Sequence, residues 1–213
     1  MYVKGSLASQ HVRENASIYV FVSLLFLIGI IFGAVIVNSM NPIQKHDLFF
    51  YLDRFFTEML RESVASSESL FKSSFFYHLK YLLFIFILGL SVIGMPIIWI
   101  LLFMKGVVVG FSVGFLVNQM GWYGLLMAAA SIAPQNLIII PVYLIAGSLA
   151  MIFSLSLIQK LVAKKIQQQS LLPALMRYSF IFLLLFLALN VAALIESFIS
   201  PDALKNVIEM TYK

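Results

Sequence analysis

Cysteine is absent from the 213 residues, which removes disulfides, thiolate metal ligands and a cysteine nucleophile from consideration. Charge is scarce as well. Asp, Glu, Lys and Arg make up 11% of the chain, against about 25% in soluble proteins, and the 54 residues between Lys105 and Lys160 include none of them. A helix of that length would rise about 80 Å at about 1.5 Å per residue, against a hydrocarbon layer of about 30 Å, so the stretch must cross a membrane, turn and cross back. No acidic residue falls inside an apolar run apart from Glu196, at the end of the last one. Ion-coupled transporters usually bury an ionisable group at membrane depth, so its absence argues against that class. Walker and His-Glu-x-x-His motifs are missing, and His11, His46 and His78 are too widely spaced for a zinc site and are expected at surfaces or interfaces. Without a nucleophile beside a base, neither an enzyme nor a cofactor is expected.

What is present is apolar. Hydrophobic residues are 62% of the chain and the mean hydropathy is +1.01. The composition predicts an all-α polytopic membrane bundle of about five transmembrane helices in a single domain, with an amphipathic extracytoplasmic segment over residues 41–80. The net charge of +5 is read as topology and contact with the lipid bilayer, not as nucleic-acid binding.

Taken in order, the basic lead precedes an uncleaved first span over residues 17–37, which carries Gly29 and Gly33. Asn41-Pro42 reads as N-cap and first helical residue. From Asp47 to Glu62 an apolar face (Leu48, Phe49, Leu52, Phe55, Phe56, Met59, Leu60) opposes Asp47, Arg54, Glu58, Arg61 and Glu62. Such a helix either packs on the bundle and the interface or, through Arg54, Phe55, Phe56, Glu58 and Met59, docks a soluble partner; a polar face of mixed charge is less suited to anionic lipid than a purely basic one. Ser66 or Ser67 can cap a further helix running into a second span, residues 81–104, kinked at Pro96 and closed by Lys105. The third and fourth spans, 106–117 and 137–158, form a hairpin that turns through Asn118 to Gly124, with 124–133 either a loop or a re-entrant piece. Gly106, Gly110 and Gly114, at spacing four, make a bare seam for close helix approach. Pro134-Gln135-Asn136 and Pro141 free backbone carbonyls, and the amides Asn118, Gln119, Gln135, Asn136 and Asn190 either cross-link helices or line a polar pocket. The last span covers 178–195. Five spans put the N-terminus in the cytoplasm and the C-terminus outside, with a net charge of +6 inside and −1 outside, as the positive-inside rule favours.

Ser17 to Val22, Gly29 to Ala34 with Val37-Asn38-Ser39-Met40, Ser74 to Lys80, and above all Lys105 to Trp122 followed by Ala133-Pro134-Gln135-Asn136 resemble the stage II sporulation protein M family of endospore-forming bacteria. That resemblance covers nearly the whole chain. It implies a mother-cell membrane protein acting in forespore engulfment, a scaffold that gathers two membrane-anchored peptidoglycan hydrolases, a lytic transglycosylase and an amidase-endopeptidase. It brings no catalytic residues. Wider relatives carry a Pro-His-Gly-like motif where this chain has Pro134-Gln135-Asn136. A permease or lipid-handling subunit is the alternative, and self-association into a homo-oligomer is open.

Overall fold

The computed structural model describes residues 7–60, 67–162 and 172–211. They are helical with no strand among them: α1 (Leu7–Glu14), α2 (Ala16–Ser39), α3 (Pro42–Leu60), α4 (Ser67–Gly89), α5 (Gly94–Ser131), α6 (Ala133–Val162), α7 (Leu172–Leu194), a π turn (Ile195–Ile199) and α8 (Ser200–Thr211). Five helical stretches, Ala16–Ser39, Ser67–Gly89, Gly94–Ser131, Ala133–Gln159 and Leu172–Met210, are long and apolar enough to cross a membrane. The protein is a multi-pass membrane protein of the all-α class. Lys164 and Lys165, together with Arg61, Glu62 and Ser66, lie outside the described residues.

Local chemistry sets the boundaries. At the start of α3 the Asn41 Oδ1 accepts the Gln44 backbone N–H at 2.8 Å while the Gln44 Oε1 accepts the Asn41 N–H at 3.1 Å, a reciprocal cap that satisfies two otherwise orphaned donors. The expected second span of residues 81–104 is not one helix. It is cut between Gly89 and Gly94 by a tight turn held by Leu90 N–H to Ile87 O, Ser91 N–H to Leu88 O and Gly94 N–H to Ser91 O bonds. A Cβ on Gly94 would fall on the Leu88 carbonyl. Pro96 then lies in the first turn of α5, where its missing N–H leaves no helical bond unmade and kinks nothing. The second span is therefore α4 and the third runs from Gly94. Lys105 is not a loop residue closing a span; it sits inside α5.

The hairpin turn expected at Asn118 to Gly124 is a single sharp bend. α5 breaks at Gly121, whose φ of 57° lies in the left-handed region that glycine tolerates. Beyond it the piece from Trp122 to Ser131 is helical, and Gly124 packs directly on the Leu116 carbonyl.

α6 is the central helix, packed on α2, α4, α5 and α7. The main core joins Ile85, Ile98, Leu102, Tyr143, Ala146, Phe182 and Leu189 from these helices. A second, smaller core of Phe56, Leu116, Met127, Ala128, Leu204 and Ile208 holds α3, the bent end of α5 and α8 together as a cap on one end of the bundle. The Gly89–Gly94 turn, the last turn of α6 and the first turn of α7 mark the other.

Candidate functional site

The glycine seam faces the chain's own first span. Gly106 meets Phe26 and Gly29, Gly110 meets Ile30, Gly114 lies 3.3 Å (as Cβ) from the Ala34 Cα, and Gly33 packs against Val107 and Phe111. Residue numbers rise together along both helices, so α2 and α5 are parallel and their glycine pairs interleave. At Gly29, Gly33, Gly106 and Gly110 an added Cβ would strike backbone atoms that cannot yield. The seam serves close helix approach within the chain, between α5 and α2.

The proline and amide residues scatter. Pro134 lies in the first turn of α6, where it frees no carbonyl, whereas Pro141 is inside α6 on an exposed face. Gln135 is buried and accepts the Ser200 hydroxyl at 2.8 Å, tying α6 to α8. Asn136 Nδ2 donates to Ile132 O and Asn190 Nδ2 to Phe186 O, each to the carbonyl four residues earlier, and Asn118 is exposed, accepting from the Gln119 amide. Of the amides singled out, Gln135 has a side-chain bond to another helix.

On α3, Arg54 and Glu58 are exposed and pair at 2.9 Å; Phe55 is 43% exposed, and Phe56, at 3%, belongs to the small core. Phe56 is thus an anchor for α3, not part of an accessible face. The Met59 side chain lies outside the described residues. An apolar cavity of about 530 Å³ opens beneath this helix, lined by Leu52, Phe55, Phe111, Phe115, Met127 and Leu204 among others.

The structure adds a polar site that the sequence did not disclose. His78, expected at a surface, is 4% exposed. Its Nδ1 lies 2.7 Å from the Tyr143 hydroxyl and its Nε2 3.2 Å from a Glu196 carboxylate oxygen. That same oxygen accepts the Ser74 hydroxyl at 2.6 Å. The π turn carries Glu196, and its wider winding shifts the phase of the side chains that follow α7. Beside this group the Lys105 Nζ lies 3.5 Å from the Tyr77 hydroxyl and sits over the rings of Tyr77, Tyr143 and Tyr81 at 5.0, 5.3 and 5.8 Å, an arrangement in which the ring quadrupoles attract the cation. Tyr81 in turn donates to the Leu101 carbonyl at 2.6 Å. α4, α5, α6 and the π turn therefore meet around an ionisable cluster at membrane depth, which removes one ground for setting ion coupling aside. Its sequence signals, a histidine inside an aromatic run and a lysine beside a glycine seam, gain meaning only when distant helices are brought together.

No curated protein and no solved structure matches the chain. A family model for stage II sporulation protein M matches residues 22–201, which takes in α3, the glycine seam and the ionisable cluster and leaves out α1, the first turns of α2 and nearly all of α8. On that match the chain belongs to the stage II sporulation protein M family and is a sporulation-related membrane protein.

Proposed function

We propose that the protein is a non-enzymatic membrane scaffold that recruits peptidoglycan hydrolases, a lytic transglycosylase and an amidase-endopeptidase, to the septum for wall remodelling during engulfment. In this reading it resides in the mother-cell engulfing membrane with its N-terminus in the cytoplasm and its C-terminus outside. The charge pattern supports that orientation. With Lys80, Lys105 and Glu196 placed inside spans, the charges that chain order assigns to the end carrying the Gly89–Gly94 turn sum to +5 and those it assigns to the capped end to −1, the asymmetry expected of a cytoplasmic and an external face.

The carrying observation is the way α3 is mounted. Phe56 fixes it to α5 and α8, so Arg54, Phe55 and Glu58 project from a rigid base on the external side. Side chains held this way bind with less ordering cost than side chains on a loose loop. The test is retention of co-expressed hydrolases by the full-length protein. Combined Arg54→Ala and Phe55→Ala substitution should release them while the protein stays folded, and undiminished retention would remove α3 from the proposal.

The His78–Glu196 cluster supports a second reading, an ion-coupled permease. Purified protein in liposomes that dissipates a pH gradient, and loses that ability on His78→Ala substitution, would favour it over the scaffold.

A further inference from the structure

Two lysines lie where a membrane offers them nothing. Lys80 follows 13 residues of α4 and precedes nine, about 20 Å and 14 Å of helix. Lys105 follows 11 residues of α5 and precedes the bend at Gly121 by 16. Its neighbour Gly106 packs on Gly29, near the middle of α2, so Lys105 lies close to the bilayer centre. Lys80, Tyr77, Tyr81 and Phe84 line one open groove of about 390 Å³ on α4, and Tyr77 and Tyr81 are also the rings beneath Lys105. Tyr77 and Tyr81 thus stand between the two lysines, with Lys80 on the exposed side of α4 away from the buried Leu82 and Ile85 and Lys105 behind the rings. Among the described residues neither lysine has a carboxylate within ion-pair distance. The tyrosine rings position Lys105, and the one carboxylate that feels its charge, Glu196, stays beyond ion-pair distance and is already bonded to Ser74 and His78. Lysine inside a span normally pairs with an acidic group or faces water.

From this placement we infer that the Tyr77-Lys80-Tyr81-Phe84 groove with Lys105 is a docking site for a transmembrane helix of another protein that carries an Asp or Glu midway along its apolar run. A lipid phosphate fits less well, because headgroups stay at the interface. A second copy of this chain fits less well too. Its nine acidic residues are Glu14, the five between Asp47 and Glu68, and Glu196, Asp202 and Glu209; of these Glu196 alone reaches the depth of His78, and it is already bonded to Ser74 and His78. The inference deepens the scaffold reading and rests on it for its biological meaning: membrane-anchored partners would be held by their anchors as well as by α3.

The test uses the full-length protein in phosphatidylcholine nanodiscs, with benzoylphenylalanine in place of Phe84 as a photo-crosslinker. The probes are two synthetic leucine-rich transmembrane helices, one with a single central Asp and one with Leu there. Crosslinking should favour the Asp helix by about tenfold, the ratio given by about 1.4 kcal/mol. The preference should vanish in the Lys80→Met, Lys105→Met double variant and persist in the Lys80→Arg, Lys105→Arg variant. Equal crosslinking of the two helices to the unsubstituted lysines, or a preference that survives removal of both, overturns the inference, as does displacement of the Asp helix in phosphatidylglycerol nanodiscs. No hydrolase is present, so this assay can fail while hydrolase retention succeeds, and the reverse.

Discussion

His78 and Glu196, 118 residues apart in the chain, meet at 3.2 Å and join α4 to the π turn that ends the last span. Because the opposite ring nitrogen engages Tyr143, one imidazole holds three elements, and each of its partners is left short of a bond if it is removed. Leaving buried polar groups unsatisfied costs about 1–3 kcal/mol. The His78→Ala variant should therefore lose about that much stability in reversible unfolding from detergent, whereas Tyr77→Phe, at a half-exposed position, should lose much less. Equal losses would mean that the imidazole contributes only bulk.

The parallel packing of α2 on α5 makes a graded prediction. A methyl at Gly110 would land on the Ile30 carbonyl, while one at Gly114 would meet the Ala34 Cα at 3.3 Å, a contact that a small shift relieves. Gly110→Ala should sharply lower the yield of monodisperse protein and Gly114→Ala should leave most of it. Gly121→Ala should cost about 1–2 kcal/mol through its left-handed backbone alone, since nothing crowds its Cβ position.

Phe55 and Phe56 are adjacent in sequence and opposite in role. Phe56→Ala should cost about 3–5 kcal/mol by opening the small core, seen as early unfolding or proteolysis of the cap, while Phe55→Ala should leave stability within about 0.5 kcal/mol. The reverse order would place α3 in a different rotation on the bundle.

The Gln135–Ser200 bond links α6 to α8 at 2.8 Å. A double-mutant cycle with Gln135→Leu and Ser200→Ala should show a coupling of about 0.6 kcal/mol, the usual size between membrane helices. Strict additivity of the two substitutions would remove that tie.

Much of the fold was legible because it is local. The apolar run of α2, the Asn41-Pro42 start of α3 and the spacing of Gly106, Gly110 and Gly114 all depend on neighbours in sequence. What covers the glycines is not local: Gly29 and Gly106 each required the other's helix. The misplaced second span has a physical cause too. Leu90-Ser91-Val92-Ile93 is an apolar turn whose Ser91 carbonyl is satisfied by the Ser154 hydroxyl, so it carries no polar cluster to announce it. Lys105 was read as a boundary because charge usually ends a span; three tyrosines, one of them on α6, hold it inside one. The place of His78 in an aromatic run says nothing about burial by itself, because its partners lie 65 and 118 residues away.

The native lack of cysteine permits the most direct measurement, single-cysteine variants labelled with a membrane-impermeant maleimide on intact and permeabilised cells. Lys45→Cys should react in intact cells, Ser91→Cys only after permeabilisation, and Lys105→Cys in neither. Labelling of position 45 only after permeabilisation would put α3 on the cytoplasmic side and contradict the account, because wall-cutting enzymes could not reach it there.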